Sequence, residues 1–223
     1  MIGLIIKDFS IQRKSLFRYL IATLLFLFIF AFVLEQQILF VLAMFPIIYG
    51  FLDRSLYEDE TNNTLRLLVS LPIKKEIIVY SKYVSTAIML TVTTIVCSVV
   101  SKIFVVNNIW KTNNTLSSTA FLSMVMIFVI LISSYLPVVY KIGYIRAAGI
   151  YRFVLMGIFA LAISFSVLAK DFLATWQLID DISNFVSALG PLYLNAILLI
   201  IVFIIYYISI KISKLFFSHR NLF

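Results

Sequence analysis

The chain has one histidine, one cysteine, four prolines and six glycines in 223 residues, and charged residues make up only 13% of it. Each shortage excludes something. A lone Cys97 rules out an intrachain disulfide and says nothing of redox compartment. The single His219 stands in the tail, so no Ser–His pair or His/Glu metal cluster is on offer for catalysis at depth. Gly3, Gly50, Gly143, Gly149, Gly157 and Gly190 never take the G-x-x-x-x-G-K-[ST] spacing of a phosphate-binding loop, which argues against ATP hydrolysis by this chain. No charged side chain is central to any long apolar run, which disfavours the proton relays and ion-binding carboxylates of secondary transporters. No directly bound cofactor or metal, and no nucleic acid, is expected.

What is abundant is apolar: 63% of the residues, with a mean hydropathy of +1.09. Soluble domains run nearer half apolar and a quarter charged, so a lipid solvent is implied. Apolar runs place six spans near Phe17–Leu34, Ile38–Leu52, Val84–Val106, Thr119–Tyr140, Phe153–Ala169 and Leu192–Ile210. The expected fold class is therefore all-α, a polytopic membrane protein forming one domain over 1–223. Glu35-Gln36-Gln37 turns the first pair into a hairpin. The first run has no small-residue cleavage pattern and is expected to be retained. Before it, Ile2, Ile5, Ile6 and Phe9 share a helical face against Lys7, Asp8 and Ser10, which reads as a short interfacial helix, with a simple extension of the first span as the alternative.

The net charge of +8 is distributed by segment rather than on one polar face. Lys7, Arg13, Lys14 and Arg18 precede the first span; Arg54, Arg66, Lys74, Lys75 and Lys82 follow the second; Lys141, Arg146 and Arg152 follow the fourth; Lys211, Lys214 and Arg220 follow the sixth. The alternate segments hold only Lys102, Lys111 and Lys170. Because Lys and Arg are retained on the cytoplasmic side, this alternation predicts six crossings with both ends cytoplasmic.

The longest segment on the basic side, 53–83, is patterned. Leu65, Leu68, Val69 and Pro72 follow a helical register, with Thr61 and Thr64 as capping residues and Pro72 as a stop; Ser70 or Pro72 then opens a second helix into the third span. A short helix across the membrane face with apolar residues for a partner groove is what docking requires, although one resting on headgroups gives the same pattern.

Within this segment, Leu65–Leu71-Pro72, Lys74-Lys75-Glu76-Ile77-Ile78-Val79 and Lys82-Tyr83 resemble the permease subunits of bacterial type-2 ATP-binding-cassette exporters. The detailed match covers Glu58 to Tyr83; Lys74 and Lys75 stand where relatives often carry arginine. The resemblance implies a coupling helix within Glu58–Pro72 that docks in a separate ATPase, with Glu58, Asp59, Glu60, Leu65, Arg66, Leu68, Pro72, Lys74 and Lys75 at or near the contact. It makes Tyr140–Arg152, including Arg146, a second and smaller contact. Glu58-Asp59-Glu60 either pairs with basic residues of the motor or is a solvated turn. The implied partners are ATPase subunits that use ATP and Mg, a second permease chain and membrane lipid; the implied location is the bacterial cell membrane.

Between the fifth and sixth spans Phe172, Leu173, Trp176, Ile179, Ile182, Val186 and Leu189 recur at three- and four-residue steps until Gly190-Pro191. The resemblance suggests an outer gate helix there, with Phe172, Trp176, Ile179, Phe185 and Pro191 as its residues; an interfacial helix anchored by Trp176 is the plainer reading. The third span carries Thr91, Thr94, Ser98 and Ser101 on roughly one face, which packs against a helix or lines a path. Phenylalanines crowd the first two spans, and a greasy interior suits a peptide or lipid-like cargo. A six-helix substrate-binding module of a vitamin importer, and a membrane immunity or assembly factor, are the alternative readings.

Overall fold

The computed structural model describes residues 1–30, 36–106, 118–157 and 190–219. The described residues form helices. They are α1 (Ile2–Phe30), α2 (Gln36–Thr61), α3 (Thr64–Ser70), α4 (Lys75–Val106), α5 (Ser118–Ile142), α6 (144–157) and α7 (Gly190–His219). Among the described residues three stretches are long and apolar enough to cross a membrane: Lys75–Ile103, Met124–Ile142 and Tyr193–His219; Phe17–Ile29 is a shorter apolar one. The fifth expected span and the outer gate helix lie outside the described residues, apart from 153–157 of the former and Pro191, which is the second residue of α7.

α1, α2 and α4 pack as one group, α5 and α7 as another, and α4 touches both. The core between them is aromatic, with Tyr83, Tyr135, Tyr140, Phe40, Phe51, Phe128 and Phe217 fully enclosed. α1 meets α2 closely at Gly50, where a Cβ would stand 2.8 Å from the Tyr19 ring. Glycine therefore sets the approach of these two helices.

Two expectations are corrected here. No separate interfacial helix precedes the first span, since α1 runs unbroken from Ile2. Along it Asp8, Gln12, Ser15 and Thr23 are buried, whereas Ile2, Ile6, Phe17 and Phe28 are exposed. A helix in lipid turns its polar stripe toward its neighbours, because only they offer hydrogen bonds; Gln12 Nε2, for example, donates to the Phe51 carbonyl at 2.7 Å. The hydroxyls of α4 do not make a uniform polar face either. Thr94 and Ser101 are buried and Thr91 is exposed. Thr91, Thr94 and Ser98 each donate to the carbonyl three residues earlier, so their own helix satisfies them.

Candidate functional site

The segment 53–83, expected to hold a short helix and a second one leading into the third span, is nearly all helix. α2 continues to Thr61, α3 follows after Asn62 and Asn63, and α4 begins at Lys75. Asn63, at φ 52, is the N-cap of α3 without a side-chain bond, and its carbonyl accepts from Leu67 N at 3.2 Å. Thr61 and Thr64 do not cap it: Thr61 Oγ1 donates back to the Tyr57 carbonyl at 2.8 Å. Leu71 is extended, as a residue before proline should be, and Pro72 follows. Neither Ser70 nor Pro72 opens the next helix; Lys74 O accepts from Ile77 N at 2.9 Å, which starts α4.

α3 has one face in the core and one out. Leu68 is 9% exposed and Leu65 and Val69 pack beside it, while Leu67 is 64% and Leu71 50% exposed. Periodicity grouped the first three, but their side is inward. Below them an open groove of about 610 Å³ runs between Met1, Gly3 and Leu4 of α1 and Leu71–Lys74, with Lys74 exposed at its edge. Arg66 stands in α3, Arg146 is exposed on α6, and Pro72 is exposed in the link.

The acidic run Glu58-Asp59-Glu60 lies in the last turns of α2 and is not a solvated turn. Asp59 is 2% exposed: its Oδ2 lies 2.6 Å from Lys82 Nζ of α4 and its Oδ1 2.5 Å from Lys7 Nζ of α1. Lys82 is just as enclosed and donates also to Asp8 Oδ1 at 2.9 Å and to Ser55 Oγ. Asp8 further accepts from Ser55 Oγ at 3.2 Å and from Ser85 Oγ at 3.0 Å. Two carboxylates and two ammoniums thus form a buried, formally neutral cluster joining α1, α2 and α4, with hydroxyls filling the remaining bonds. Such geometry is what a buried charge needs to be tolerated. Burial alone raises a carboxyl's pKa, but the Lys82 and Lys7 charges outweigh it and hold Asp59 below its ordinary value.

Glu60 points another way. Its Oε2 accepts from the backbone N–H of Tyr144 at 2.9 Å, the first residue of α6. Gly143, at φ 88, ends α5 and accepts from Ala147 N at 3.1 Å, so it also begins α6. That conformation favours glycine. Asp53 Oδ1 accepts from Tyr144 Oη at 2.9 Å and from Tyr135 Oη at 3.4 Å, and Asp53 Oδ2 lies 3.4 Å from Arg152 Nη2. Burial first, then the Asp53 charge, pushes the Tyr144 phenol above its usual range and keeps it a donor. Glu58 pairs with Arg54 at 2.5 Å and accepts from Asn62 Nδ2 at 2.8 Å.

Deeper in the bundle Tyr83 Oη of α4 lies 2.6 Å from Ser209 Oγ and 2.7 Å from Ser213 Oγ of α7, and Ser209 Oγ donates to the Ser133 carbonyl of α5 at 2.8 Å. Sequence reading missed Asp8, Asp53, Lys82, Ser209 and Ser213 as interacting groups. The four-residue step from Ser209 to Ser213 in an otherwise apolar run was the one signal available. Among the described residues no group of His, Cys, Asp or Glu could hold a metal ion.

Apolar helices, polar side chains turned inward and a charged cluster at the end bearing α3 define a multi-pass membrane protein. The chain belongs to the ABC-2 family transporter proteins, whose family model matches residues 3–218. It is thus a permease subunit of an ABC transporter, a membrane component that works with an ABC ATPase and is not itself one. No curated protein and no solved structure matches the chain.

Proposed function

We propose that this permease is the membrane half of a bacterial exporter, with six spans and both ends in the cytoplasm. Two such chains, identical or related, enclose the path, and two ATPase subunits that hydrolyse ATP with Mg dock beneath. The observation that carries the docking role is Leu67, exposed on a seven-residue helix whose opposite face is fixed in the core, with Leu71 exposed just past the helix end. An apolar side chain presented by a packed helix suits a groove on a partner and costs little entropy to bind. The sorting of Lys and Arg supports the sidedness. Lys74, Lys75 and Arg146 stand at the rim of this contact, and 140–152 forms its second part.

The mechanism is alternating access: closure of the motors pushes α3, the spans re-aim, and cargo leaves past the segment 171–191. The cargo is a hydrophobic or amphipathic peptide or a lipid-like molecule. This is supported by the absence of any charged residue in the sequence from 84 to 101, 119 to 140 and 192 to 210, so nothing there selects an ionic solute. Stimulation of the complex's ATPase by small hydrophilic solutes, with none by amphipathic peptides or lipids, would remove the cargo assignment.

Co-purification tests the whole reading. The native chain should bring down a stoichiometric ATPase, and Leu67→Asp should lose it while migrating as a folded monodisperse protein. Leu68→Asp, which puts a charge into the core, should instead fail to fold. Undiminished ATPase recovery with Leu67→Asp would end the docking assignment.

A further inference from the structure

The last turns of α2 have two polar faces, and each grips a different body. Ser55 and Asp59 face α1 and α4, where they meet Asp8, Lys7 and Lys82. Asp53, Tyr57 and Glu60, four and then three residues apart, face α6: Asp53 binds the Tyr144 and Arg152 side chains, Tyr57 meets the Tyr144 ring edge-on at 5.9 Å, and Glu60 takes the Tyr144 N–H. The same two turns run into α3 across Asn62 and Asn63 alone. From this geometry we infer that Glu60 and Asp53 are positioning residues that bind α3 and α6 into one mechanical body. The two surfaces offered to the motor then cannot move separately, and a push on either reaches α1 and α4 through Asp59 and Lys82.

The physical basis is that Glu60 satisfies an N–H at a helix start that has no intrahelical partner, and sets a negative charge at the positive end of α6. A link of this kind resists rotation as well as separation, because the Asp53 bonds stand nearly two turns away along the same face. The inference rests on the proposed docking at α3, but its test does not need the ATPase.

In a Cys97→Ala chain in lipid nanodiscs, spin labels at Ser70 and Gly149 report α3 against α6. Both sites are exposed, and a side chain at Gly149 meets nothing within 4 Å. A second pair, Gly149 with Ile130, reports α6 against α5. Double electron–electron resonance should give one narrow 70–149 distance, broadened and displaced by Glu60→Ala and returned by Glu60→Gln, whose amide oxygen can accept the same bond. The 130–149 distance should stay narrow throughout, which separates a lost tie from a melted α6. A 70–149 distribution unchanged in Glu60→Ala, or a 130–149 distribution that broadens equally, overturns the inference. Neither result depends on whether an ATPase binds.

Discussion

Lys82 Nζ lies 2.6 Å from Asp59 Oδ2, a contact between α4 and α2 that crosses the root of α3. Both groups are buried, and Asp8 and Lys7 complete the set. Removing one partner of such a pair strands a charge without water to solvate it.

Lys82→Ala leaves the Asp8 and Asp59 carboxylates facing each other with only Lys7 and hydroxyls to hold them. The expected loss is about 3–5 kcal/mol, the usual cost of breaking a buried ion pair on one side. Thermal unfolding of the detergent-solubilised chain measures it. A melting temperature equal to that of the native chain would show that the cluster is not holding the three helices.

The Asp59 carboxyl is held below its ordinary value in the folded chain, so its contribution to stability is fully present above the unfolded carboxyl's pKa, about 3.9. It is lost as pH falls through the lower folded value, where the folded state finally takes up the proton. Unfolding midpoints followed from pH 7 downward should therefore drop on the acid side. Asp59→Asn should start lower at pH 7 and fall less steeply, since it carries no proton to gain. Parallel profiles for the two chains would contradict the assignment.

Sequence showed the apolar helices well, because α4, α5 and α7 carry long stretches, 84–101, 119–140 and 192–210, that no charged residue interrupts. It ended the second span at Leu52, whereas α2 continues to Thr61. Asp53, Arg54 and Glu58-Asp59-Glu60 look solvated in one dimension, and their partners stand far away, at Lys7, Lys82, Tyr144 and Arg152. Periodicity grouped Leu65, Leu68 and Val69 on a face of α3 but carried no sign for it. The sign came from the core that Leu65, Leu68 and Val69 join beside α2, which leaves Leu67 outside. In α1 an amphipathic pattern was read for the membrane surface, with an extension of the first span as the alternative, and the helix runs unbroken into that span.

Tyr83→Phe removes one hydroxyl from the seam that joins α4 to α7. Ser209 retains its bond to the Ser133 carbonyl, whereas Ser213 loses its Tyr83 contact in a buried setting. A loss of about 1–3 kcal/mol follows from leaving a buried polar group unsatisfied. Tyr83→Phe combined with Ser213→Ala removes both ends and should recover part of it, as read by the same thermal unfolding. Equal melting of the single and double variants would mean that the two hydroxyls are not coupled.

Sidedness decides whether a motor can reach α3 at all. Asn63 is a poor place for a probe, because its φ of 52 favours asparagine or glycine and strains other residues. Asn62 is exposed and conformationally ordinary, and the native Cys97 is buried. A membrane-impermeant maleimide should therefore leave Asn62→Cys untouched in intact cells and modify it fully in inverted vesicles. Modification from outside intact cells would put α3 on the face where no ATP-driven subunit works, and the docking of Leu67 and Leu71 would have no partner to explain.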